Sequence, residues 1–296
     1  MGTYTNLHLQ DMLDPQNALA GLAKWKLERD DSHKVFPHRI YRDEEGKIYH
    51  SVTHIIKETA DPLQKQALEK WLERKNSEQE RDIAAQRGTL THNHVEYILK
   101  TAVKLSRNSA NRRNVWKKSD DGLERCPSPI TKWAIEKATK SAPRISWSAS
   151  GYTRSLRSWI AEKVTAIHAI EFSVHSGCFA GTADALLDIE GKGPFIVDWK
   201  TSQHARSEEL LADYCDQIGA YSIGLKKLTG IEKLKGAFIV IARRSGPPQI
   251  RELSELELRG AECRFLERSK KFLRAYPKES VNAYGWSVLD NEAVFS

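Results

Sequence analysis

The stretch that decides the fold is GTADALLDIEGKGPFIVDWKTS, residues 181–202. Its two apolar runs, separated by the turn-forming residues GKGP, predict two neighbouring β-strands. Asp184, Asp198 and Lys200 interrupt these runs with charge. A buried charge is costly unless it is paired or binds a metal ion, so the stretch predicts a functional site as well as a pair of strands.

The spacing of these charges predicts how they meet. Side chains alternate along a strand, so Asp198 and Lys200 share one face while Trp199 takes the other. If the strand of Asp184 lies alongside, two carboxylates converge on one point and suit Mg²⁺ or Mn²⁺. Lys200 would then orient or deprotonate an attacking water, or neutralise charge on a phosphate. The alternative is a simple salt bridge at the end of a strand.

Two pairs of polar residues recur at helical spacing elsewhere in the chain. His92 and Glu96 are four residues apart, which places them on one face of a helix. His94 falls on a different face, where we expect a surface residue. Gln217 and Tyr221 form a second pair at the same spacing on a later helix. Each pair alone would be unremarkable, and their order along the chain carries the information.

The positive charge of the chain is concentrated in one segment. The net charge is +7, with +9 in residues 101–163 and −2 in the remainder, and four of the eight tryptophans lie in the same segment. Basic residues interleaved with aromatic ones favour binding of a single-stranded nucleic acid. The alternative is a solvated basic loop whose tryptophans pack on the core. The expected nucleic-acid contacts are Arg112, Arg113, Lys117, Lys118, Trp116 and Trp147.

The order of the predicted elements indicates an α/β protein with a central mixed β-sheet flanked by helices. The N-terminal part is expected to be helical and the basic segment to be an insertion. The predicted strands are a hairpin over 36–50 and three later strands over 169–174, 180–189 and 195–200, followed by a buried strand over 235–242. The predicted helices pass through 55–56 and cover 63–75, 78–103, 130–139, 152–168, 207–228 and 254–275.

We expect a single domain over residues 1–296. Within it, residues 36–105 would hold the hairpin and the helices that carry His92, and residues 106–168 the basic, tryptophan-containing insertion with its helix. Residues 169–276 would form the core.

Several classes of protein are not favoured by the sequence. No apolar run approaches the roughly 20 residues that span a bilayer, and the polar N-terminus is unlike a secretory signal, so a cytoplasmic location is expected. The four widely spaced cysteines indicate reduced thiols. No G-x-x-x-x-G-K-[ST] motif is present, so no ATP-driven motor is expected.

The series G-x-x-x-H-x-x-x-E, E, G-x-x-D, D-x-K-T and Q-x-x-x-Y resembles the RecB-type branch of the PD-(D/E)XK nucleases. With GKIYHSVTHIIKET (46–59) and RGTLTHNHVE (87–96), the chain is most similar to the mitochondrial genome maintenance exonuclease and related phage exonucleases. The resemblance covers roughly residues 39–242, with a gap over the basic segment. It departs from the family pattern at Ala183, where many members carry proline.

The resemblance implies a restriction-endonuclease-like core and a set of metal ligands. His92, Asp184 and Asp198 would be ligands, and the backbone carbonyl of Trp199 would complete the site. The metal would be Mg²⁺ or Mn²⁺. The cysteines lack the spacing of those relatives that hold an iron–sulfur cluster, so no cluster is expected.

The resemblance also implies roles for the other polar residues. Lys200 would be catalytic together with the two aspartates, and Gln217 and Tyr221 would hold the scissile strand or support Lys200. Glu96 and Glu171, the latter at the start of a strand, would either support the metal ligands or be outer contacts of the metal.

The function implied is that of a metal-dependent DNA exonuclease, acting on single-stranded DNA with a free end. A phage origin, with action in the host cytoplasm, and partners among replication or recombination proteins would suit it. The alternatives are a duplex exonuclease or an endonuclease on the same fold, a DNA-binding module without activity, or an RNA-processing enzyme.

Overall fold

A mixed β-sheet of eight strands forms the centre of the protein and confirms the predicted α/β class. The computed structural model describes residues 27–32, 38–113, 117–118, 124–125, 128–229 and 234–275, with side chains outside 110–129. The strands are β1 (Glu28–Asp30), β2 (Ile40–Arg42), β3 (Ile48–Ser51), β4 (Lys117–Lys118), β5 (Glu124–Arg125), β6 (Val164–Ser176), β7 (Phe179–Ile189), β8 (Pro194–Thr201), β9 (Gly236–Ala242) and β10 (Gln249–Ser254). Strands β4 and β5 pair separately as a small ribbon.

Seven helices flank this sheet in the described part of the chain. They are α1 (Val52–Glu58), α2 (Pro62–Leu72), α3 (Ser77–Arg113), α4 (Ser128–Ser141), α5 (Trp147–Lys163), α6 (Glu208–Thr229) and α7 (Glu255–Ala275). Among the described residues, no helix combines the length and the apolar character needed to cross a bilayer.

The pairing of β7 leaves an opening in the middle of the sheet. The sheet order is β1-β2-β3-β7-β8-β9-β10, and β6 pairs with β7 along its whole length. The other edge of β7 is shared, because β3 pairs with it in parallel up to Ala180 and β8 pairs antiparallel from Ala185 onward. Along this edge, no described strand pairs with β7 between these two positions, and Asp184 lies in this opening.

The core has two layers, one on each face of the sheet. One apolar cluster joins the sheet to α1, α6 and α7, and it contains Ile196. The other joins the sheet to α3, α4 and α5 and contains Val197 and Trp199. The predicted alternation along β8 is therefore confirmed, and the Trp199 ring packs edge-on against Trp159, with ring centroids 5.7 Å apart.

Two predicted boundaries are wrong. The helix predicted to end near His168 ends at Lys163, and Val164 to His168 belong to β6. The β-branched residues of this segment fit a pleated strand, and Val164 pairs with Ile189 of β7. Helix α3 also continues to Arg113, ten residues beyond its predicted end at 103.

A buried cluster of three histidines lies beneath α7. The Nε2 of His38 is 2.9 Å from the Nδ1 of His50, and the rings of His38 and His54 stack with centroids 3.5 Å apart. Phe272 of α7 packs its ring edge-on against His50 and His54. Burial, reinforced by the neighbouring cationic groups, lowers the pKa of His50 to about 3 and that of His54 to about 4.

This cluster predicts acid sensitivity of the fold. The unfolded chain takes up protons on these histidines near pH 6.5, whereas the folded chain does so only near pH 3–4. The free energy of unfolding should therefore fall as the pH decreases through that window. Urea denaturation at several pH values measures the slope. It should be shallower in His50→Gln and unchanged in a His204→Gln control at an exposed position.

The contact between α6 and α7 depends on a glycine. A Cβ atom added at Gly219 would lie 2.6 Å from the backbone carbon of Ala261, so the two helices would have to separate. We expect Gly219→Ala to lower the free energy of unfolding by about 2 kcal/mol or more, as overpacking does. The control is Gly260→Ala, where the nearest atom is 3.5 Å away. That change should stabilise by up to about 1 kcal/mol through helix propensity, and equal effects of the two would contradict this account.

Candidate active site

The carboxylate of Asp184 accepts a backbone hydrogen bond at the place where β7 and β8 are not paired. At the opening in the sheet, its Oδ2 accepts a hydrogen bond from the backbone N–H of Trp199 at 2.7 Å. Its other oxygen, Oδ1, lies 3.4 Å from the Nδ1 of His92 on α3. Asp184 is buried, so this pair of contacts holds both its oxygens in one orientation.

Glu171 also lies near His92 and Asp184, because the backbone of β6 is irregular at this residue. Its φ is 49°, in the left-handed region that non-glycine residues seldom adopt. Ala169 and Phe172 both pack on the α6 face, so the alternation of β6 is broken between them. As a result, ligand atoms of Glu171, His92 and Asp184 all lie within 4.8 Å of one another.

Asp198 and Lys200 form the second half of the site. The Nζ of Lys200 is 2.7 Å from Oδ2 of Asp198, and it lies 5.1 Å from the ring centroid of Tyr214. The side-chain amide of Gln217 lies 3.4 Å from Oδ1 of Asp198 and donates to the hydroxyl of Tyr221 at 2.7 Å. The helical pair of Gln217 and Tyr221 therefore meets the strand pair, as their spacings predict.

The electrostatics of the site couple these groups. Burial raises the pKa of Asp198 to about 6 against the attraction of Lys200, while Asp184 adds to the rise. Burial alone would raise the pKa of Asp184, but His92 and Lys200 hold it below its usual value. Despite burial, the nearby aspartates raise the pKa values of Lys200 and His92. Desolvation and the charge of Asp184 raise the pKa of Glu171 to about 8.

These donors fit a divalent cation. His92, Glu171 and Asp184 offer one imidazole nitrogen and two carboxylate oxygens at mutual distances that one ion can bridge. The pKa values of His92 and Glu171 are raised, so both groups hold a proton more readily than usual. A cation binds to deprotonated ligands and would replace those protons.

The structure brings together most of the residues that the sequence singles out. They are His92, Glu171, Asp184, Asp198, Lys200, Gln217 and Tyr221. Glu96 is ion-paired with Lys100 on the same helix, and its charge acts on Glu171. Glu171, expected to support the ligands or to be an outer contact, belongs to the three-residue group of possible ligands, whereas Asp198 faces Lys200.

The structure also shows the exposure of His94 and of one expected nucleic-acid contact, Trp147. His94, expected at the surface, is buried, because α4 and α5 both pack against α3. Trp147 is 81% exposed. The side chains of the remaining expected nucleic-acid contacts lie outside the described residues, and these are Arg112, Arg113, Trp116, Lys117 and Lys118.

A groove of about 860 Å³ runs beside the site between α1, α2 and α6. Tyr214 and Gln217, which touch Lys200 and Asp198, lie in its wall. Leu68 and Leu72 of α2 line the opposite side and are about half exposed, together with polar side chains of the same helix such as Lys65 and Glu69. The groove therefore leads from solvent to the site past exposed leucines.

The comparison with known families agrees with this geometry. A family model of the PD-(D/E)XK nuclease superfamily matches residues 63–279, and the chain belongs to that superfamily. Its members are nucleases that use divalent metals, and the group of possible ligands on β6, β7 and α3 lies within the matched residues. A search of curated proteins finds no match.

The ligand group predicts unequal roles for two glutamates. Glu171→Gln removes a charged donor from the group, so we expect Mn²⁺ affinity to fall at least about tenfold. Glu96→Gln is the matched control, because Glu96 is paired with Lys100, and its Mn²⁺ affinity should stay within about twofold. Calorimetric titration of both variants with Mn²⁺ measures this, and the reverse order would place Glu96 in the ligand group.

Proposed function

We propose that this protein is a metal-dependent exonuclease that degrades single-stranded DNA from a free end, with Mg²⁺ or Mn²⁺ as cofactor. The observation that carries the proposal is the ligand group His92, Glu171 and Asp184 next to the ion pair of Asp198 and Lys200. The order of these residues supports a place in the RecB-like branch, near the mitochondrial and phage exonucleases. Action in a cytoplasm alongside replication or recombination proteins, as for a phage enzyme, belongs to the same proposal.

The metal would be held by His92, Glu171 and Asp184. Asp198 lies beside them and could be a further ligand. When bound, it would supply a Lewis acid and lower the pKa of a water molecule. The N–H of Trp199 faces Asp184. The carbonyl of a residue in an extended strand leaves on the same side as its N–H, which supports the carbonyl of Trp199 as a further donor.

Lys200 acts as a fixed positive charge in this proposal. Its pKa is raised by Asp198 and Asp184, so the ammonium is charged at neutral pH. A charged ammonium cannot take a proton from water, so of the roles considered above, Lys200 would orient the water or neutralise charge on the phosphate. The aromatic ring of Tyr214 on its other side limits the directions in which Lys200 can move.

Gln217 and Tyr221 position the carboxylate that holds Lys200. The amide of Gln217 bridges Asp198 and the Tyr221 hydroxyl. Burial and the charge of Asp198 raise the pKa of Tyr221 well above its usual value, so its hydroxyl stays neutral. The hydroxyl accepts from Gln217 and keeps its own proton, which it can donate to a phosphate oxygen.

The groove beside the site supports a single strand as the substrate. Unpaired bases present apolar faces that can lie against the leucines of α2, whereas a duplex turns its charged backbones outward. A duplex exonuclease and an endonuclease remain the alternative activities on this fold. A binding module without activity is disfavoured by the presence of both the ligand group and Lys200.

Digestion of end-labelled DNA tests the proposal directly. Linear single strands, linear duplexes and closed single-stranded circles would be incubated side by side with Mg²⁺ or Mn²⁺. We expect linear single strands to be degraded and circles to resist. Rapid cutting of circles would replace the exonuclease by an endonuclease, and the absence of cleavage of any substrate would favour the binding module.

Replacement of Asp198 separates chemistry from binding. Asp198→Asn keeps the shape of the side chain but removes the charge that holds Lys200, so cleavage should fall by at least about 100-fold. Binding of DNA should persist, since phosphate contacts come mainly from basic residues. The control is Asp213→Asn, which removes a carboxylate paired with Arg268 in the wall of the groove. Near-normal turnover of Asp198→Asn would rule out this assignment of the site.

A further inference from the structure

A buried guanidinium lies beside the site without an anionic partner among the described side chains. Arg87 of α3 is 9% exposed, and its Nε has no hydrogen-bond partner among the described residues. Among the described residues, its side chain contacts the ring of Tyr152, whose centroid is 4.7 Å from Cζ. A buried cation without a carboxylate is costly, so this position is suited to an anion that is brought in by a ligand.

Arg87 belongs to the active-site edge of the sheet. A Cβ atom at the next residue, Gly88, would lie 3.7 Å from Oγ1 of Thr201, the residue that follows Lys200. His92 is five residues further along the same helix, which is about 7.5 Å along its axis. An anion at Arg87 would therefore lie near the metal ligands and the catalytic lysine without coinciding with them.

Two more arginines reach this edge from β9. Strands β8 and β9 are parallel, Thr201 pairs with Ala242, and the N–H of Ser202 donates to the carbonyl of Ala242 at 3.1 Å. Arg243 and Arg244 follow directly, so they leave the sheet where the active-site strand also ends. The Nε of Arg243 has no hydrogen-bond partner among the described residues.

Helix α5 holds this arginine pair in place. The backbone N–H of Arg243 faces Oγ of Ser155 at 3.5 Å. A Cβ atom at Gly151 would lie 2.2 Å from the carbonyl oxygen of Arg244, so only glycine allows this approach. The contact sets Arg244 against the first turns of α5, close to Tyr152, which stacks on Arg87.

An exposed tryptophan completes the arrangement. The ring of Trp147, at the start of α5, is 81% exposed, and the Cζ of Arg244 lies 5.0 Å from its centroid. A groove of about 560 Å³ opens beside them and is lined by Gly151, Arg154 and Arg244. An exposed flat ring next to guanidinium groups suits a nucleotide, whose base can stack while its phosphate is neutralised.

We propose that Arg87, Arg243, Arg244 and Trp147 form a second binding site for the nucleic-acid strand, beside the metal ligands but separate from them. The arginines would hold a phosphodiester of the strand, and Trp147 would stack on a base next to it. This site rests on the proposed function. It would bind the strand on the α3–α5 side of the sheet, opposite the groove between α2 and α6. The strand would thus be held on both sides of the bond that is cut.

Binding of labelled oligothymidylates to the full-length protein, in EDTA to prevent cleavage, tests this site. Fluorescence anisotropy would be recorded for several strand lengths and salt concentrations. Arg244→Ala should weaken binding about fivefold or more and reduce the slope of log affinity against log salt by about 0.7, the value for one phosphate contact. Arg244→Lys should restore the slope. Trp147→Ala should weaken binding of long strands at least about fivefold.

The matched control is Trp133→Ala. Trp133 is 45% exposed and has the Nζ of Lys137 5.0 Å from its ring, but it belongs to α4. Its removal should leave affinity within about twofold. Equal losses in the two tryptophan variants would overturn the second site, because they would show a general effect of aromatic surface.

The buried Arg87 needs a check on folding. Arg87→Gln would be compared with wild type by thermal unfolding, and a folded variant should lose affinity together with part of the salt slope. Normal binding by Arg244→Ala and Trp147→Ala would overturn the second site and leave the proposed nuclease intact. Failure of the wild-type protein to bind any strand would overturn both.

Discussion

The site depends on one hydrogen bond, from the backbone N–H of Trp199 to Oδ2 of Asp184. It spans the opening between β7 and β8. There the N–H of Trp199 donates to a side-chain carboxylate of β7 and not to a backbone carbonyl, as it would in a regular pair of strands. Hydrogen bonds to a charged acceptor are stronger than neutral ones. The other side of the same residue is fixed too, because the Trp199 ring packs against Trp159 in the core. The orientation of the carboxylate is therefore set by apolar packing on the opposite face of the sheet.

The two faces of the sheet contribute different parts of the site. Helix α3 brings His92 from one side, and α6 brings Gln217 and Tyr221 from the other. The second approach needs Gly181, since a Cβ atom there would lie 2.6 Å from Cε1 of Tyr221. Both layers of the core must be formed before these groups can meet, so the chemistry is tied to the complete fold.

Much of the site could be predicted because its residues follow simple periods. The period of two along β8 places Asp198 with Lys200, and the helical spacing of four places Gln217 with Tyr221. Glu171 could not be assigned in this way, because its position depends on a left-handed backbone conformation that no neighbouring residue signals. The burial of His94 was missed for a different reason. It depends on α4 and α5, which reach α3 from a distant part of the chain.

The length of α3 also sets a scale for the substrate. This helix runs without interruption from Ser77 to Arg113, and His92 lies in its first half. The 21 residues from His92 to the end of α3 span about 31 Å at the rise of an α-helix. The end of α3 thus lies roughly nine stacked nucleotides away from His92, at about 3.4 Å for each. A strand shorter than this, lying along the helix, would reach the ligands or the end of α3 but not both.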